Sequence, residues 1–106
     1  MTTFNDREKG FENKFAHDAE MQFKAVARRN RLLGLWAASL LGKVGAEADA
    51  YAMEVVKADF AEPGEEDLFH KVARDLDHRA DEHTIRAKMA ELLALAKGQI
   101  FTETRG

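Results

Sequence analysis

The chain of 106 residues has no cysteine, a single proline and a single serine. Without cysteine, disulfides, thiolate zinc sites and a thiol nucleophile are excluded together. No apolar run approaches the roughly 18 residues that a membrane span needs, and no charged-then-apolar leader opens the chain. Direct membrane insertion is therefore not expected, and the expected location is the cytoplasm. There is also no Gly-rich phosphate loop, no G-x-S-x-G and no Ser-x-x-Lys; Ser39 falls within the apolar half of a helix. Histidines stand at 17, 70, 78 and 83, but His78 and His83 are five apart across a loop, which is not the i, i+4 pairing of a metal dyad. The acidic pairs Glu65-Glu66 and Asp81-Glu82 sit at expected helix starts, where capping accounts for them. Neither an enzyme nor a required cofactor or metal is expected.

What remains is 45% apolar and 33% charged, rich in good helix formers. A chain of this size buries roughly 60 to 70% of its unfolded surface, enough for one modest core. Gly42 and Gly45, then Pro63-Gly64, then the weaker Arg79-Ala80-Asp81 divide it into four helical segments. The first is expected from Asn5 to Leu41, with Asn5 and Glu8 at capping-box spacing. The second runs from Ala46 to Phe60 with Ala50, Met53, Val56 and Phe60 as its apolar face. Leu68, Phe69, Val72 and Leu76 make the face of the third, and Ile85, Met89, Leu92, Leu93, Ala96 and Ile100 that of the fourth, which Asp81 caps. The expected fold is all-α, a four-helix bundle.

Charge is distributed in blocks. Residues 1–20 hold three bases and five acids, 21–45 five bases and no acids, 46–70 one base and eight acids, and 71–106 seven bases and six acids. A basic stretch beside an acidic one in a small helical chain is expected to pair internally, and a pI of 5.8 argues against a nucleic-acid partner.

Helix length is the most informative discrepancy. At 1.5 Å per residue, the later helices span roughly 20 to 28 Å while Asn5 to Leu41 spans about 55 Å. The stripe Phe23, Val26, Leu33, Ala37 and Leu40, with Trp36 at its edge, is assigned to the core. The N-terminal part then overhangs the bundle, and residues 1–18 read as a separate segment from a bundle domain of 19–106. Phe4, Phe11 and Phe15 fall within about 40° on the helical wheel, with polar side chains around them. A short isolated amphipathic helix is marginal in water, so this segment is expected to fray in the free protein and to order in a groove that accepts its Phe face. The competing reading has the three phenylalanines folding back on the bundle.

Inside the first helix, Gly34 suggests a close helix approach and Trp36 a core anchor. Lys24, Arg28, Arg29 and Arg31 form a basic run that suits weak ADP or ATP binding, the alternative functional reading.

Several runs also carry a likeness. Phe4 with Asp6-Arg7-Glu8-Lys9-Gly10-Phe11-Glu12-Asn13-Lys14-Phe15-Ala16-His17-Asp18, then Arg28-Arg29-Asn30 and Leu32-Leu33-Gly34-Leu35-Trp36-Ala37-Ala38, resembles the bacterial F-type ATP synthase zeta subunit. Lys57-Ala58-Asp59-Phe60 and Gly64-Glu65-Glu66-Asp67 extend the likeness over nearly the whole chain. The resemblance implies a regulatory protein, monomeric when free, that binds the catalytic head of the synthase through its alpha, beta and gamma subunits and inhibits ATP hydrolysis. It would lie peripheral to the inner membrane through that enzyme. Its N-terminal segment would enter a catalytic alpha/beta interface and block hydrolytic rotation, with the bundle as tether. Carried onto this sequence, Phe4, Phe11 and Phe15 become apolar contacts, and Arg7, Glu8, Lys9, Glu12 and Lys14 polar ones, an assignment made from the wheel. A helical adaptor for another complex shares every feature read from the residues alone.

Overall fold

The first helix ends at the first break expected from the sequence, and it does so through a glycine. In a computed structural model describing residues 19–61 and 65–105, α1 spans Ala19–Leu40, α2 Gly45–Ala61, α3 Glu65–Leu76 and α4 Glu82–Arg105; a short 3-10 turn, Asp77–Arg79, joins the last two. At the end of α1, Gly42 takes φ +78°. The Lys43 N–H then donates to the Ala38 carbonyl at 2.9 Å and the Gly42 N–H to Ser39 at 3.2 Å, closing a Schellman motif that satisfies two terminal carbonyls. Asp81 caps α4 as expected, accepting the Thr84 backbone N–H at 2.8 Å. Four helices and no strand occur among the described residues. The expected overhang, residues 5–18, lies outside the described residues.

An ion pair and a cation–π contact at two levels show that α1 and α4 run antiparallel: Arg28 meets Glu103, and Lys88 lies 5.7 Å from the centre of the Trp36 ring. One main core joins Leu33, Ala37 and Ala38 of α1 with Tyr51 and Val55, Leu68, Phe69, Val72 and Leu76, and Ile85 and Met89. The faces expected for α3 and α4 are those that pack, with Leu92 and Leu93 half-buried. Gly34 gives the expected close approach: a β-carbon there would stand 2.6 Å from the Ala52 Cα. Trp36 is a half-buried edge of the core.

The expected faces of α1 and α2 need correction. Phe23 is 57% exposed and Leu40 also faces solvent, while the buried residues of α1 are Met21, Ala25, Arg29, Leu33 and Ala37, beside a second row of Asn30, Gly34 and Ala38. Both rows step by four residues, and each step winds about 40° around the helix. A straight stripe therefore fits only the middle of α1, and Phe23 and Leu40 fall off it at the two ends. In α2 the buried residues among the described side chains are Tyr51, Ala52 and Val55, whereas Met53 is 54% exposed, Ala50 exposed and Val56 half-buried; the Phe60 side chain lies outside the description. Because Ala52, Met53, Val55 and Val56 are all apolar, periodicity alone does not choose between adjacent faces of α2.

Two further expectations change. Helix α4 has 24 residues, about 36 Å, and so exceeds the length assigned to the later helices. Pairing between the basic and acidic blocks is confined, among the described residues, to Arg29 with Glu65; Lys24 pairs with Glu20 and Arg28 with Glu103 instead. Glu66 is held by Arg86 at 3.1 Å. The twelve-residue α3 begins at the level of Arg29. Above that level Met21 and Ala25 pack with Ile100 and Phe101 in a separate small cluster.

Candidate partner-binding site

The exposed apolar side chains are not scattered. Phe23, Ala27 and Leu32 of α1, Met53 and Val56 of α2 and Ile100 of α4 line one open groove of about 860 Å³. Its existence follows from the winding of the buried rows: as contact moves around α1, the apolar residues left off the rows remain on the side facing α2 and α4. Lys24, Arg28 and Arg31 line the same groove.

The three cations differ in state. Lys24 lies 3.3 Å from Glu20, one turn earlier on the same exposed surface. Arg28 is held more firmly. Its Nη2 donates to Glu103 Oε1 at 2.9 Å and its Nη1 to Gln99 Oε1 at 3.3 Å, with a further contact from Nη1 to the second Glu103 oxygen. The bond to Glu103 raises the Arg28 pKa, and the same bond holds the Glu103 carboxyl below the usual range. Arg31 stands exposed at the rim.

Arg29 does not join them. Its side chain is almost wholly buried; Nε donates to Asn30 Oδ1 at 2.7 Å and Nη1 to Glu65 Oε1 at 3.1 Å. Of the four basic residues read as a nucleotide candidate, three share a groove and the fourth joins α1 to α3. Elsewhere, the Tyr51 hydroxyl and the Lys71 ammonium both donate to Asp75 Oδ2, at 2.9 and 3.0 Å. Burial, with help from that bond, pushes the Tyr51 pKa well up. The Tyr51 bond ties α2 to α3, and the Lys71 bond lies within α3. His70 and His78 are exposed, and the Ser39 hydroxyl donates to the Trp36 carbonyl at 2.6 Å within α1.

Phe4, Arg7, Glu8, Lys9, Phe11, Glu12, Lys14 and Phe15 lie outside the described residues. The described part of α1 begins at Ala19, one turn before Phe23 and the mouth of the groove. Sequence reasoning missed the groove itself. Gln99 and Glu103, four apart on α4, are the one signal in the sequence that could have pointed to a partner for Arg28.

Fold and groove together define a small all-α bundle protein with a basic-rimmed apolar surface. A chain whose structure was determined by solution NMR is 59% identical to this one, with a TM-score of 0.72, over 78% of this chain and 98% of its own. No curated protein matches. The family model described as ATPase inhibitor subunit zeta matches residues 1–99, and the chain belongs to that family.

Proposed function

We propose that the protein inhibits ATP hydrolysis by the F-type ATP synthase, with residues 1–18 entering a catalytic alpha/beta interface as an amphipathic helix. The observation carrying this reading is that the family match covers residues 1–99, the Phe-bearing segment and the bundle together. A wedge in a moving interface requires no reacting groups; it requires an apolar face and a tether. Phe4, Phe11 and Phe15 supply the face, with Arg7, Glu8, Lys9, Glu12 and Lys14 bordering it, and the bundle is the tether. Docking of the bundle raises the effective concentration of the segment at its cleft, so two modest contacts act as one strong one. The protein works in the cytoplasm, at the inner membrane only through the synthase. Among the described residues no helix is long and apolar enough to cross a membrane.

The test is deletion of residues 1–18. Helical content and melting of the bundle stay nearly unchanged, and inhibition of hydrolysis by purified ATP synthase disappears. Inhibition that survives the deletion sinks the role given to the segment.

A second reading, weak ADP or ATP binding, draws on Lys24, Arg28 and Arg31 lining one groove. Amide-shift titration with ADP tests it: shifts at these three residues support it, and none at millimolar nucleotide removes it. Arg29, occupied by Asn30 and Glu65, takes no part.

A further inference from the structure

We propose that the groove, with a shallow depression that adjoins it over Gly98, docks an acidic amphipathic helix of the protein's partner. The inference rests on the inhibitory reading above and gives the bundle, there a tether, its point of attachment. Three observations carry it.

The first is a glycine that the fold does not use. A glycine in a helix interior costs stability relative to alanine, and it is accounted for where a side chain would block a close contact. Gly34 meets that condition inside the molecule, since a β-carbon there would stand 2.6 Å from the Ala52 Cα. At Gly98, in the interior of α4, nothing stands within 4 Å of the same position. With Thr102 and the exposed Leu95 it lines an open depression on the solvent side of α4. Gly34 shows what such a notch admits in this fold, the backbone of another helix. The notch at Gly98 is open to one from outside.

The second is continuity. Gln99 and Glu103 line both the depression and the groove, so the two form one surface. Leu32, Met53 and Val56 give it an apolar floor. Along α1 the groove runs from Phe23 to Leu32, about 13 Å, which takes roughly two and a half turns of a helix. The surface is concave, which a helix fits and a bilayer does not.

The third is charge. Of the charged side chains lining the groove, Lys24, Arg28 and Arg31 are basic and Glu103 alone is acidic. Glu103 is engaged by Arg28, and the Lys24–Glu20 pair lies on exposed surface, where an ion pair contributes little. Arg31 is exposed and forms no ion pair among the described residues. An apolar floor with an excess of positive charge at its rim complements a helix whose apolar face is bordered by Asp and Glu.

The docking is tested with the full-length chain and purified F-type ATP synthase. A photoreactive p-benzoylphenylalanine replaces Met53, an exposed position, and the irradiated mixture is digested and read by mass spectrometry. The expected adduct joins position 53 to a helical segment of a synthase subunit with acidic residues beside its apolar face. Adducts only within this chain, to a second copy, or to a basic or non-helical segment overturn the proposal. So does the absence of any adduct in a mixture whose hydrolysis is inhibited, a result that leaves the inhibitory reading standing. A chain that never inhibits removes both.

Gly98 supplies an independent measurement. Gly98→Ala and Gly98→Leu should melt no lower than the unaltered chain, yet the concentration for half-inhibition should rise severalfold, and more for leucine. Arg31→Glu should raise it severalfold and flatten its dependence on salt. Half-inhibition left unchanged in both glycine variants overturns the proposal.

Discussion

Arg29 reaches from the interior of α1 to Glu65, the first residue of α3, at 3.1 Å, and the two ends of this bridge are unlike: the arginine side chain is 2% exposed and the glutamate 63%. The buried end carries more of the energy. Arg29→Ala leaves a void and strands Asn30, and is expected to lower unfolding free energy by about 2–4 kcal/mol. Glu65→Ala, at the solvated end, should fall well below that. Urea unfolding of both variants checks the asymmetry; equal losses would refute it.

Two glycines in helix interiors, Gly34 and Gly98, predict opposite signs. At Gly34 a methyl group meets the Ala52 backbone at 2.6 Å, whereas at Gly98 nothing stands within 4 Å. Gly34→Ala should destabilise by about 1–3 kcal/mol through overpacking. Gly98→Ala should stabilise by up to about 1 kcal/mol through helix propensity. Thermal melts of the two single variants decide it.

Three carboxylates predict the acid limb of stability. Glu66 is held below its ordinary pKa by Arg86, Asp81 by Thr84, and Glu103 by Arg28. A carboxyl with a depressed folded-state pKa contributes stability that is complete above its unfolded value, near pH 4, and is lost as pH falls through the folded value. The urea midpoint should therefore hold as pH falls to about 5 and drop below 4. In the triple variant Glu66→Gln, Asp81→Asn, Glu103→Gln the drop should be shallower.

For the N-terminal segment, replacing Phe11 and Phe15 together by serine should weaken inhibition of ATP hydrolysis at least tenfold, about 1.4 kcal/mol or more of lost binding. A hydrolysis titration measures this. The same variant should retain the bundle's helical signal.

Helices, their breaks and two of the four core faces were legible because local chemistry decides them. Gly42 has the positive φ that a Schellman ending needs, Asp81 caps, and Leu68, Phe69, Val72 and Leu76 form the one apolar face of α3. The faces of α1 and α2 depend on neighbours that no window of sequence contains. Phe23 and Leu33 share a side on a flat wheel, yet the four-residue rows turn one outward and the other inward. Arg29 reads as one more surface base until Glu65, 36 residues later, arrives beside it. The groove was invisible for the same reason, since its walls come from three helices.

The antiparallel pairing of α1 and α4 brings the first described turn of α1 and the last turn of α4 to the same pole, with Arg28 bonded to Glu103 beside both. A carrier domain fused to the C-terminus would therefore crowd the point from which residues 1–18 depart, and an affinity tag there is not a neutral choice. A circular permutant goes further. Joining the C-terminus to Ala19 through a short Gly-Ser bridge and reopening the chain at Val44, which is 78% exposed, would keep the four helices while leaving the inhibitory peptide as a separate molecule to be supplied in trans.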